Sequence, residues 1–150
     1  MIATYPQAAP AAWAWSASSP KDERRPTIVM IEDDAGIAEM YRRQLTVDGF
    51  RVLIAGDGMS GLELVRSARP NLVLLDILLP ELEGFGVLER MRQDPALAAI
   101  PVVVLSNYGE PDMERRGRAG GAVDYLIKSS TTPTELSARI RRWLTSKTDD

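Results

Sequence analysis

The sequence predicts a doubly wound α/β domain built on a five-stranded parallel sheet. Three observations predict it. Five short apolar runs recur, at 27–31, 51–55, 71–75, 101–105 and 123–127. Stretches with apolar residues at helical spacing separate them, the pattern of β/α alternation. Two runs, in NLVLLD and PVVVLS, are continuously apolar, as central strands covered on both faces must be.

Each element can be justified in turn. Residues 1–26, MIATYPQAAPAAWAWSASSPKDERRP, show no apolar period and carry Pro6, Pro10, Pro20 and Pro26, so they read as a disordered tail. Trp13 and Trp15 are its odd feature. The first strand, TIVMI, runs into Glu32, Asp33 and Asp34. Asp34 is placed to cap a helix in which Ile37, Met40, Tyr41 and Leu45 recur at three- and four-residue spacing. After the second strand, RVLIA, a helix is marked by Leu62, Val65 and Ala68. The third strand ends at Asp76, and the next helix carries Val87, Leu88 and Met91. The fourth strand ends in the hydroxyl of Ser106. The helix expected around 111–119 is the weakest, because PDMERRGRAG has one large apolar residue and two glycines. The fifth strand ends at Lys128. The last helix, over about 134–145, holds Leu136, Ile140, Trp143 and Leu144, with Thr132 as N-cap and Pro133 in the first turn. The domain is expected to span 27–146, with 147–150 an unstructured C-terminus.

Composition narrows the function classes. A chain of 150 residues with 45% hydrophobic and 26% charged residues fits one globular domain. The absence of cysteine excludes disulfides and thiol chemistry, and the absence of histidine excludes a Ser-His-Asp triad and most zinc sites. The net charge of -3 and the lack of a basic run point away from direct nucleic-acid contact. No stretch approaches a membrane span and no secretory signal opens the chain, so a cytoplasmic location is expected.

The strand ends carry the chemistry. Ligands of parallel α/β sheets bind outside the carboxyl ends of the strands. That rule gathers Glu32, Asp33, Asp76, Ser106 and Lys128 into one crevice. Adjacent acids repel unless neutralised, and hard oxygen donors suit Mg²⁺. The loop DILLPELEG holds Asp76 at an exposed strand end as a nucleophile. Lys128 can pair with a phosphoryl oxygen and Ser106 can donate a hydrogen bond to one.

These residues, in this order and at this spacing, resemble the receiver domains of the two-component response-regulator family, over about residues 27 to 146. The acid pair matches Glu32 and Asp33, and the phosphoacceptor matches Asp76 within D-x-x-x-P-x-x-x-G. The switch hydroxyl matches Ser106, thirty residues on. The switch aromatic matches Tyr125, three before Lys128. The resemblance implies a flavodoxin-like fold with strand order 2-1-3-4-5. It implies Mg²⁺ held by Asp33, Asp76, the backbone carbonyl of Leu78 and, through water, Glu32. Asp76 would take a phosphoryl group from a histidine kinase or phosphotransfer protein. Ser106 would then move inward and Tyr125 turn from exposed to buried. The surface of the fourth helix, fifth strand and fifth helix, with Arg115, Arg116, Arg118, Asp124, Glu135 and Arg139, would signal to a protein target or a second copy. No direct nucleic-acid or membrane contact is expected.

Three details belong to this chain. Ser129 stands where the family usually has proline after the lysine. A trans bond is therefore expected there, since a non-proline cis bond costs about 2.5–4 kcal/mol, and the following loop is expected to be looser. The resemblance implies that Leu78 and Tyr108 occupy positions that in receivers border the path of the hydrolytic water, which would make the phosphorylated form long-lived. A phosphatase of the haloacid dehalogenase type would need a second acid where Leu78 stands. An EDD loop would repel the phosphate of a flavin nucleotide. A degenerate receiver, acting only as a binding module, is disfavoured because every active-site position is filled.

Overall fold

The computed structural model describes residues 25–80, 82–107 and 109–148. The tail proposed for 1–26 therefore lies outside the described residues as far as residue 24, as do Glu81, Tyr108 and residues 149–150.

Five strands alternate with five helices: β1 Thr27–Ile31, α1 Ala35–Val47, β2 Arg51–Ala55, α2 Gly58–Ala68, β3 Leu72–Leu75, α3 Gly84–Gln93, β4 Val102–Ser106, α4 Pro111–Ala119, β5 Asp124–Ile127 and α5 Pro133–Thr148. A 3₁₀ turn over Lys128–Ser130 joins β5 to α5. All strand pairs are parallel, in the order β2-β1-β3-β4-β5. This is the predicted flavodoxin-like architecture. Helix α5 runs to Thr148, past the expected boundary at 146.

Strand alternation sorts the core into two layers. Ile28, Met30, Leu72, Leu74, Val103, Leu105 and Leu126 face α1 and α5, meeting Tyr41, Leu45, Leu136 and Ile140. Val29, Ile31, Val73, Leu75, Val102 and Val104 face the other way, onto Leu62 and Val65 of α2 and Phe85, Leu88 and Met91 of α3. Covering both faces of the central strands explains their unbroken apolar runs.

The helix signals hold where they rest on caps. Asp34 accepts from the Ile37 amide at 3.0 Å. Thr132 and Glu135 form a reciprocal capping box, with Glu135 N–H to Thr132 Oγ1 at 3.1 Å and Thr132 N–H to Glu135 Oε1 at 3.0 Å. Helix α4 forms despite its poor apolar face. Pro111 opens it, Asp112 and Glu114 lie in its first turn, and Arg116 and Arg118 in its last, each sign matching the helix dipole. No helix among the described residues is long and apolar enough to cross a membrane.

Candidate functional site

The site lies at the carboxyl edge of the sheet because the strand register puts it there. Ile31 pairs with Leu75, so the next residues, Glu32 and Asp76, emerge side by side. The Asp76 amide donates to the Ile31 carbonyl at 3.0 Å, and the Glu32 amide to the Ala55 carbonyl at 3.0 Å. Across the sheet, Ser106 pairs with Ile127, which puts Lys128 one step beyond.

Lys128 joins the two acids. Its Nζ lies 2.5 Å from Glu32 Oε1 and 3.1 Å from Asp76 Oδ2. All three side chains are nearly enclosed, at 8%, 4% and 8% exposure. The other oxygen of each acid is held by backbone: the Asp34 amide donates to Glu32 Oε2 at 3.1 Å, and the Leu78 amide to Asp76 Oδ1 at 3.2 Å. Asp33 is exposed and completes a group with Glu32 and Asp76, one carboxylate oxygen of each within 4.8 Å of the others. Three hard oxygen donors at that separation fit Mg²⁺, which takes oxygen ligands and keeps several waters.

Burial sets the electrostatics. It pushes Glu32 up to about 7, against the opposing hydrogen bonds from Lys128 and the Asp34 amide, with the Asp76 charge adding to the rise. Burial also works against the Lys128 ammonium, yet hydrogen bonds to Glu32 and Asp76 carry its pKa above the ordinary value. The ammonium thus stays charged at neutral pH, beside a glutamate that is near half-protonation.

The structure brings together Glu32, Asp33, Asp76 and Lys128, and places Ser106, fully buried, at the end of β4. The Lys128–Ser129 bond is trans, as expected. Leu78 is 49% exposed. Tyr108 lies outside the described residues, so the paired shielding role expected of these two has no structural account.

Two expectations need correction. Tyr125 is not exposed but buried, at 6%. Its ring fits because α4 offers Gly117 there, where a Cβ would lie 3.0 Å from Tyr125 Cδ2. Asp124, taken for a surface charge, is buried and fully engaged. It accepts from Arg139 Nε and Nη2 and from Trp143 Nε1, each at 3.1 Å, and from the Tyr125 amide at 3.0 Å. After Lys128 the chain forms the 3₁₀ turn, and the Tyr41 hydroxyl donates to the Thr131 carbonyl at 3.1 Å. Sequence reasoning missed this contact; Gly84, read as shaping the loop after Asp76, also lets α3 start against the backbone of Asp76 and Ile77 because it has no side chain.

Comparison with known proteins fits this geometry. Curated relatives include the DNA-binding response regulator MtrA of Mycobacterium tuberculosis, 37% identical over 129 residues, covering 86% of this chain and 55% of MtrA. Another is the DNA-binding dual master transcriptional regulator RpaA of Synechocystis, 37% identical over 119 residues, covering 79% of this chain and 49% of RpaA. The chain thus spans about half the length of these relatives. A solved structure of a response regulator from Chloroflexus aurantiacus superposes with a TM-score of 0.77 at 30% identity, covering 81% of this chain and 99% of that one.

These relatives overturn the expectation that partners exclude nucleic acid, because both are described as DNA-binding regulators. The charge argument behind that expectation speaks only for the residues counted, and the relatives are about twice as long. The family model for the response regulator receiver domain matches residues 28–141, from the first strand into the last helix, and on that extent the chain belongs to the response regulator receiver domain family.

Proposed function

We propose that the protein is a phosphorylation-driven signalling switch in which Asp76 accepts a phosphoryl group from a phosphohistidine. The observation that carries this reading is the setting of Asp76. It closes a central strand, with Lys128 Nζ at 3.1 Å and two further carboxylates within 4.8 Å.

In the reaction, an Asp76 carboxylate oxygen attacks phosphorus. A P–O bond forms as the P–N bond breaks, and the bonding pair leaves on the imidazole nitrogen, which takes up a proton. Asp76 becomes an acyl phosphate. The chain's own work is positioning and charge. The Leu78 amide orients one oxygen of Asp76, leaving the other to Lys128. Lys128 would exchange its contact with Asp76 for one with the transferred group, and Ser106 would donate a hydrogen bond to it. Mg²⁺, held by Asp33, Asp76, the Leu78 carbonyl and, through water, Glu32, would offset the charge of the phosphoryl oxygens.

Readout would pass through Ser106 and Tyr125 to the α4–β5–α5 surface. Tyr125 already lies inward, so phosphorylation would stabilise this arrangement against an outward alternative, a shift of population. Acetyl phosphate with Mg²⁺ tests the reading. One phosphoryl group should appear by mass spectrometry, and Asp76→Asn should take none. Equal labelling of the mutant would refute it.

A further inference from the structure

We infer that Tyr41 is a positioning residue for phosphoryl transfer, its hydroxyl tethering the β5–α5 loop so that Lys128 stays aimed at Asp76. The inference rests on the phosphoacceptor reading of Asp76 and deepens it.

Tyr41 belongs to α1, ninety residues from the loop it touches, and its side chain is 2% exposed. A phenol enclosed among Ile28, Leu45, Leu136 and other core side chains must find an acceptor or forfeit a hydrogen bond. It finds the Thr131 carbonyl at 3.1 Å. Burial raises the pKa of this hydroxyl, while the Lys128 charge pulls it the other way, so it remains a donor at neutral pH.

The tether matters because of what lies between Thr131 and Lys128. Three residues, Lys128–Ser130, form a single 3₁₀ turn, closed by the Thr131 amide on the Lys128 carbonyl at 3.4 Å, which is a long contact. Ser129 and Ser130 are exposed. Downstream, the Thr132–Glu135 capping box fixes the loop to α5, but not to the sheet. The Tyr41 hydroxyl thus ties the far end of the turn to α1, while the Lys128 side chain ties its near end to Glu32 and Asp76. The pairing of Ile127 with Ser106 fixes where Lys128 leaves β5, and the tether holds the turn that follows, so the ammonium reaches both carboxylates at once. Without it, the 3₁₀ turn is free to open, and the ammonium samples positions away from Asp76. A small misplacement of such a group is costly to transfer.

The test compares wild type, Tyr41→Phe and Thr131→Ala, with acetyl phosphate as donor and Mg²⁺ saturating. Tyr41→Phe keeps the ring and removes the tether. Its maximal phosphorylation rate should fall about three- to tenfold, the equivalent of one lost hydrogen bond. Its Mg²⁺ affinity should be unchanged, since the carboxylates are held by other bonds. Amide hydrogen exchange should quicken at Ser129, Ser130 and Thr131. Thr131→Ala keeps the carbonyl and should phosphorylate like wild type. A Tyr41→Phe protein that reacts at the wild-type rate overturns the inference, as does a slowed one whose loop amides exchange no faster. Equal slowing in Thr131→Ala overturns it too. A wild type that takes no phosphoryl group instead sinks the phosphoacceptor reading, and the transfer role of Tyr41 with it.

Discussion

Gly84 shows how closely a single residue is constrained beside the site. A Cβ placed on it would lie 2.4 Å from the Asp76 carbonyl oxygen and 2.6 Å from Ile77 Cα. Both are backbone atoms, so no rotamer change relieves the clash. The Gly84 amide also donates to the Ile77 carbonyl at 2.8 Å, which pins α3 against the end of β3. Gly84→Ala should therefore destabilise the fold by about 1–3 kcal/mol, the usual cost of overpacking. This is expected even though alanine is the better helix former. Urea denaturation would read it as a lower midpoint. An unchanged midpoint would mean that α3 can move away at no cost, and that its start does not depend on this contact.

At the scale of elements, Asp124 links β5 to α5. It is buried, receives both nitrogens of the Arg139 fork and the indole N–H of Trp143, and has Arg118 of α4 at 3.7 Å. Asp124→Ala should leave the Trp143 and Arg139 donors without their acceptor and cost about 1.5–3 kcal/mol, the range for hydrogen bonds to a charged group. Trp143 fluorescence should shift on the same change, since its indole loses a fixed partner. If neither stability nor fluorescence moves, the three elements are not joined through this carboxylate. The same region shows what could be read from the sequence. Elements that signal locally were legible: Asp34 and Thr132 cap helices as read, and the apolar runs of β3 and β4 are central strands. Asp124 was not, because its partners sit on two helices and nothing within DYLI marks burial. Tyr41 was read correctly as a core-facing residue, but its bond to Thr131 spans ninety residues and has no local trace. The acidic site was legible because one rule of topology brings the strand ends together, whereas the inward Tyr125 depends on the space left by Gly117, which only packing reveals.

At the scale of the whole molecule, the missing histidines make stability a direct report on the site. Between pH 5 and 8 most proteins titrate histidine; this one has none, leaving the α-amino group, ordinarily near 8, as the other group expected there. Among the described residues Glu32 moves into this window, from an ordinary 4.5 to about 7, because burial penalises its charge. The sign follows from linkage. The raised value means that the folded state holds a proton which the unfolded state has already released. The stabilisation is fully present below pH 4.5 and is lost as pH rises through about 7. The Lys128 contribution does not change in this window, because its raised pKa keeps it charged throughout. Metal-free protein should therefore melt at progressively lower temperature from pH 5 to pH 8. Mg²⁺ should act in the opposite sense, because it needs the carboxylate forms that higher pH supplies. A ligand that binds only the native state stabilises it by about 2.7 kcal/mol at a hundredfold excess over Kd. The gap between melting temperatures with and without Mg²⁺ should accordingly be small at pH 5 and widen towards pH 8. Glu32→Gln should flatten the metal-free profile, since its amide cannot titrate. A gap independent of pH would separate the metal from Glu32. No gap at any pH would mean that Mg²⁺ does not bind the native state selectively, against a site at Glu32, Asp33 and Asp76.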